Sequence, residues 1–165
     1  MKILVISDTH IPITATKLPS IIEKEAKTSD CCLHCGDFIT YSTFENLTSL
    51  TKTYGVCGNM DDNSIKERLP DKQIIKLGDF RIGLIHGRGH PNTILAYIKR
   101  EFSDDFNDID IFVFGHSHQS LNKEIDGKFY FNPGSPTDKM FAPYRSYGIL
   151  EIIGDELKSK VVKIG

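Results

Sequence analysis

Apolar positions recur along this chain with two periods. Lys2 to Ser7 is a short, β-branched and almost continuous apolar run, the pattern of a strand covered on both faces. After a loop holding Pro12, the segment Leu18 to Lys27 sets Leu18, Ile21, Ile22, Glu25 and Ala26 at helical spacing. Asp30 to His34 predicts a second strand, Tyr41 to Lys52 a helix with Phe44, Leu47 and Leu50 along one face, and Thr53 to Val56 a third strand closed by Gly58. The pattern then changes to paired apolar runs about short turns. Gln73 to Leu77 and Phe80 to Ile85 flank Gly78-Asp79, Leu121 to Ile125 and Lys128 to Asn132 flank Asp126-Gly127, and Ser146 to Ile153 and Glu156 to Ile164 flank Gly154-Asp155. Each reads as a hairpin, and Asp-Gly fits a type I′ turn. Between them lie a helix over Asn92 to Phe102, with Pro91 favourable just at its start, and a fully apolar strand over Ile109 to Gly115. Crossovers build parallel strands and hairpins antiparallel ones, so the expected class is mixed α/β, with two mixed sheets face to face and helices outside. With no linker or repeat, and a length near the usual domain size, residues 1–165 read as one domain.

The polar residues fall at the ends of the strands. These ends read Ser7-Asp8-Thr9-His10, His34-Cys35-Gly36-Asp37, Gly58-Asn59-Met60-Asp61, His86-Gly87 and Gly115-His116-Ser117-His118. Ligands in α/β sheets bind outside the carboxyl ends of strands, so five such clusters converge on one point. The clusters offer imidazole nitrogens, carboxylate oxygens and one amide oxygen, a set suited to Mn, Fe, Zn, Co or Ni and too rich in nitrogen for calcium. Residues two apart in an extended segment point the same way, so Asp8 and His10, and His116 and His118, can each grip metal from one side. Seven candidate ligands exceed what one catalytic ion with open positions needs, and suit two ions sharing a carboxylate. Turn residues alone account for one or two such clusters, not for five, nor for four of the six histidines standing there as candidate ligands.

In this order and spacing, Asp8-Thr9-His10, Gly36-Asp37, Gly58-Asn59, His86-Gly87 and Gly115-His116-Ser117-His118 resemble the five motifs of the calcineurin-like metallophosphoesterases. The resemblance runs from Ile3 to about Ser135 and includes Asn132-Pro133-Gly134-Ser135, a feature of the small prokaryotic phosphodiesterase branch. It implies a four-layer αββα sandwich of two mixed sheets flanked by helices. It also implies that Asp8, His10 and His118 bind one divalent ion and Asn59, His86 and His116 a second. Asp37 would bridge the two together with a hydroxide that attacks phosphorus in line, and Mn is the favoured metal. The expected substrate is a small phosphodiester, with a phosphomonoesterase as the alternative. One departure stands out: many relatives carry His directly after the motif Asn, where this chain has Met60, which cannot donate a proton. Asp61 then has no imidazole to orient, His90 becomes the candidate acid, and Arg88 joins Asn59 as a candidate substrate contact.

Composition narrows the rest. A net charge of -2 without any run of Lys or Arg gives no strong nucleic-acid-binding signature. The opening apolar run is too short for a signal peptide, and no stretch reaches the ~18 residues of a membrane span, so a soluble cytoplasmic protein is expected. Cys31, Cys32, Cys35 and Cys57 read as buried thiols; Cys32-Leu33-His34-Cys35 matches a C-x-x-C pattern but has no second pair. His34 reads as a core or supporting imidazole. Met140-Phe141-Ala142-Pro143-Tyr144 is open to three readings, an interface between copies of the chain in a homo-oligomer, a substrate wall or a surface loop. The competing function class is a non-catalytic interaction scaffold, as in the retromer subunit that shares the implied fold.

Overall fold

The computed structural model describes residues 1–165 as two five-stranded mixed sheets with four helices. The first sheet has the order β10-β9-β1-β2-β3. β1 (Lys2–Ile6), β2 (Cys31–His34) and β3 (Thr53–Gly55) pair in parallel, joined by α1 (Ser20–Lys27) and α2 (Tyr41–Leu50). The hairpin of β9 (Ser146–Ile153) and β10 (Glu156–Lys163) returns to lie antiparallel to β1. The second sheet has the order β4-β5-β6-β8-β7, built from β4 (Lys72–Leu77), β5 (Phe80–Ile85), β6 (Ile111–Val113), β7 (Leu121–Ile125) and β8 (Lys128–Asn132). All three predicted hairpins form, and Asp126 and Gly127 both take positive φ (50° and 73°), as a type I′ turn requires.

Strand alternation sorts the side chains into layers. Ile3, Val5, Leu33, Ile82, Leu84, Val113 and Phe131 fill the space between the sheets. Leu4, Ile6 and Cys32 face outward under Ile22, Ala26 and Leu47 of α1 and α2. Phe112 and Phe114 face the other way, under Ile94, Ile98 and Phe102, which belong to or directly follow α4 (Ile94–Glu101). The result is the αββα sandwich.

Some boundaries differ from the pattern. α4 begins at Ile94 rather than Asn92, because Pro91 and Asn92 sit in a turn closed by Thr93 N–H to the His90 carbonyl (2.9 Å). α1 begins at Ser20, after Pro19. The ladder of β6 covers only Ile111–Val113, while Ile109 and Phe114 pack into the core beyond its ends. A single turn, α3 (Asn63–Lys66), was not anticipated; Asp62 caps it by accepting from the Ser64 and Ile65 N–H groups.

Candidate metal centre

The centre is assembled where β1, β2, β5 and β6 end. Glycines allow the approach. A Cβ on Gly58 would stand 2.8 Å from Asp37 Cγ, and one on Gly115 would stand 2.7 Å from Asp8 Oδ2. The pattern of glycine before ligand in Gly58-Asn59 and Gly115-His116 is thus a steric requirement of convergence. Just past the strands the backbone turns sharply: Asp8, His10, Asp37, His116 and His118 all adopt the left-handed region, with φ between 45° and 67°. Each such residue costs about 1–2 kcal/mol, although Asp and His tolerate the region better than most. The carboxylate of Asp61 pins the Asp37 turn from below, accepting from the N–H groups of Asp37 (3.1 Å), Gly58 (2.7 Å) and Ile39 (2.7 Å). Ile39, β-branched at φ 86°, is held there by the last of these bonds. Asp61 therefore has a task without an imidazole beside it: it ties the Asp37 and Asn59 loops together.

All seven candidate ligand side chains expected from the sequence meet. Asp8 Oδ1 lies 3.3 Å from His118 Nε2, 3.7 Å from His10 Nε2 and 3.9 Å from His86 Nε2. Asp37 Oδ2 lies 3.4 Å from both His10 Nε2 and His86 Nε2. Asn59 Oδ1 stands between His86 Nε2 (3.1 Å) and His116 Nδ1 (3.0 Å). The donors form two groups, Asp8-His10-His118 and Asp8-Asp37-His86, the second extended by Asn59 and His116.

The outer nitrogens of three imidazoles are already committed. His86 Nδ1 donates to the Cys35 carbonyl (2.7 Å), His116 Nε2 to the Gly89 carbonyl (3.1 Å), and His118 Nδ1 to the Asp138 carboxylate. A ring held this way presents its inner nitrogen to a cation. Asp8 Oδ1 and His10 Nε2 are buried yet have no hydrogen-bond partner. Donors sharing one ion at about 2.1 Å stand roughly 3 to 4 Å apart, the spacing seen among these atoms. The residues therefore fit divalent metal.

Electrostatics point the same way. Burial disfavours a charged His86, but the neighbouring Asp37 and Asp8 carboxylates outweigh it and raise its pKa to about 9. His118 rises to about 9 against burial through Asp8 and Asp138. Asp8 is held far below the usual carboxylate range despite burial, by the imidazoles of His10, His118 and His86 gathered around it. His116 moves the other way, lowered by burial and by His86. The site concentrates negative charge that protons neutralise until a cation replaces them.

The remaining predicted residues separate. Arg88 shares a cleft of ≈ 560 Å³ with Asn59, His86, Lys66, Tyr97 and Arg100. His90 is exposed, does not line that cleft, and accepts the Asn92 N–H at Nδ1 (3.2 Å). Met60 is half exposed. His34 is a buried supporting group: it stacks on Phe38 at 3.5 Å, bonds Thr9 Oγ1 (3.0 Å) and accepts the Gly36 N–H (3.2 Å). The four cysteines are free and buried. Cys32 and Cys35 point to opposite faces of the first sheet, as i and i+3 in extended chain must, so they form no joint site. Sequence reasoning missed Asp138. It is buried, accepts the N–H groups of Met140 (2.8 Å), Phe141 (3.0 Å) and Ala142 (3.0 Å), and receives His118. Its only mark in the chain was an acidic residue placed directly after Asn132-Pro133-Gly134-Ser135-Pro136-Thr137.

A family model described as a calcineurin-like phosphoesterase superfamily domain matches residues 1–155. The chain belongs to the calcineurin-like phosphoesterase superfamily. Among its relatives in this superfamily, a protein of Methanothermobacter thermautotrophicus described as a probable metallophosphoesterase is 32% identical over 169 residues, covering 100% of this chain and 94% of its own. The crystal structure of wild-type Vps29 of Entamoeba histolytica complexed with zinc superposes with a TM-score of 0.75 at 28% identity, covering 99% of each chain. A structure described as that of a novel archaeal phosphodiesterase has a TM-score of 0.71 at 23% identity over 98% of this chain and 100% of its own, a likeness of fold. The chain is thus a phosphoesterase hydrolase of a metal-dependent family. No helix is long and apolar enough to cross a membrane.

Proposed function

We propose that residues 1–165 form a single catalytic domain that hydrolyses small phosphodiesters with two divalent ions, Mn being favoured among Mn, Ni, Fe, Zn and Co. The observation that carries this reading is the position of Asp37 Oδ2, equally distant from His10 and His86, which belong to different donor groups. A carboxylate so placed suits a bridge between two cations, with Asp8, His10 and His118 on one side and Asn59, His86 and His116 on the other. When bound, such ions acidify a water, orient a phosphoryl oxygen and offset the charge of in-line displacement.

The chain's own residues supply the rest. The tethered imidazoles keep their inner nitrogens aimed without reorganisation. Asn59 offers an amide oxygen at the cleft that also holds Arg88, whose planar guanidinium suits a phosphate in two-pronged contact. With Met60 in place of an imidazole, no acid follows Asn59, so good leaving groups are favoured over poor ones. His90, next to the Gly89 carbonyl that receives His116, is the residue to test as a donor to alkoxide leaving groups. The free cysteines suit a reducing compartment, which favours the cytoplasm.

The test is hydrolysis of an aryl diester and an alkyl monoester after complete chelation and then with Mn or Ni restored. Metal-dependent activity with faster diester turnover supports the reading; chelator-insensitive activity, or a clear monoester preference, overturns it. A second reading, a protein-interaction scaffold, is favoured by the likeness to Vps29 and by Met140 and Phe141, exposed at 84% and 77%. Absence of any metal-restored hydrolysis from a metal-loaded chain would select it.

A further inference from the structure

Two loops, Ile11 to Lys17 and Thr137 to Arg145, meet beside the metal centre and form a second groove of ≈ 460 Å³. Its lining includes Thr14, Lys17, Ser20, Thr137, Lys139 and Arg145, and no carboxylate, although the chain holds 22 Asp and Glu against 20 Lys and Arg. The lysines and arginines that form ion pairs lie elsewhere, at Lys2 and Arg100. Lys17 and Lys139 are exposed and unpaired, and Arg145 gives one donor to the Gly165 carbonyl (2.7 Å). Lys17 and Lys139, gathered beside Arg145 with no acidic side chain in the lining, repel one another, and an anion between them relieves that repulsion. Ammonium and guanidinium groups, here with the Ser20 hydroxyl alongside, are the donors that phosphoryl oxygens take.

The groove is built onto the metal centre. Thr14 Oγ1 (3.1 Å) and Thr137 Oγ1 (2.8 Å) both donate to the carbonyl of Thr9, the residue between ligands Asp8 and His10. Lys139 directly follows Asp138, whose carboxylate receives His118. The groove thus flanks the Asp8-His10-His118 group, while the cleft holding Arg88 flanks Asn59 and His86.

We infer that this groove is a binding site for a phosphoryl dianion, filled by a second phosphate on the substrate beyond the ester that is cleaved. The substrate form of the inference rests on the hydrolase reading above; the binding form does not. Two sources share this chemistry, the substrate's distal phosphate and free phosphate or pyrophosphate, and the two arms of the experiment separate them.

The first arm titrates inorganic pyrophosphate into the chelator-treated chain by calorimetry, with wild type, a Lys17→Ala/Lys139→Ala variant and Lys123→Ala as a remote surface control. Saturable binding by wild type and control, weakened about tenfold or more in the double variant, is expected for loss of two charge-assisted contacts. Absent binding, or equal binding by all three, overturns the site. The second arm compares KM for thymidine 5′-(4-nitrophenyl phosphate) with KM for the same ester carrying a 3′-phosphate, in metal-loaded enzyme. A lower KM for the 3′-phosphorylated ester in wild type, with the ratio falling to about one in the double variant, assigns the groove to substrate. Pyrophosphate binding with no KM difference overturns the substrate assignment and leaves a site for a free anion. Failure to hydrolyse either ester counts against the hydrolase reading alone, because the first arm contains no metal.

Discussion

Asp138 offers the sharpest test of how the metal centre is held. Its carboxylate divides the work: Oδ1 accepts from Met140 and Phe141, and Oδ2 accepts from Ala142 and His118. Burial alone would raise this carboxyl; the bond from His118 and those from Met140 and Phe141 hold it below the usual range. Asp138→Asn keeps an oxygen for Met140 and Phe141 but turns an amide toward His118 Nδ1. The ring then favours a proton on Nε2, the atom that faces Asp8 and would bind the cation. Loss of such a supporting partner typically costs about 10- to 100-fold in metal affinity, or roughly 1.4 to 2.7 kcal/mol. The assay is competition for Mn against a fluorescent chelator, with thermal unfolding in parallel. The expected result is weakened binding of one ion equivalent with little change in the metal-free Tm. Asp138→Ala should weaken binding similarly and also lower stability by about 1–3 kcal/mol, because the buried N–H groups of the loop lose their acceptor. Metal affinity unchanged in Asp138→Asn would refute the reasoning, since the side chain's size and the loop's main contacts are kept.

Other outcomes follow from the same geometry. His86 and His118, raised to about 9, must lose protons to ligate metal, so metal affinity should climb between about pH 6.5 and 9 with measurable proton release at pH 7; calorimetry in buffers of different ionisation enthalpy checks this, and uptake without protons contradicts it. In the metal-free chain the sign reverses: these raised values contribute stability that is complete below about 6.5 and lost as pH rises through about 9, so the metal-free Tm should fall over that window. Asp37→Asn should reduce hydrolysis to background with the circular dichroism of the fold intact, while residual turnover near wild type would remove Asp37 from its bridging role. Cys32→Ser with Cys35→Ser should leave metal content per chain unchanged, since the two thiols face opposite sides of the sheet; a fall in bound metal would return the cysteines to the site. His90→Gln should slow esters with alkyl leaving groups more than aryl ones, and equal slowing would dismiss it as an acid.

Much of this architecture was legible because burial writes itself into periodicity. Continuous runs such as Lys2 to Ser7 mark strands covered on both faces, and Gly78-Asp79, Asp126-Gly127 and Gly154-Asp155 mark the hairpins by the backbone they permit. The convergence of the candidate ligands was legible because each follows such a run closely. What escaped lies where no period operates. α3 is one turn long, too short to show a face, and is set by the Asp62 cap. Asp138 stands 20 residues beyond His118, brought back by the β7-β8 hairpin and the chain that follows it. The task of Asp61 was hidden because acceptance of three backbone N–H groups leaves no signature in side-chain type. Lys17 is far in sequence from Lys139 and Arg145, so their shared groove appears only in three dimensions.

The left-handed turns of the ligand loops bear on how this fold diverges. Five candidate ligand residues each sit at a positive φ that a glycine would adopt without strain, so the chain carries on the order of 5 kcal/mol of conformational cost beside a total stability of about 5–15 kcal/mol. A descendant freed from hydrolysis would gain stability by exchanging these residues for glycine, and each exchange would make the next less consequential for activity. Drift from enzyme to inert platform therefore runs downhill on this scaffold, and the return runs uphill, which makes a binding protein of the same fold an easy thing for evolution to derive and a hard one for it to reverse.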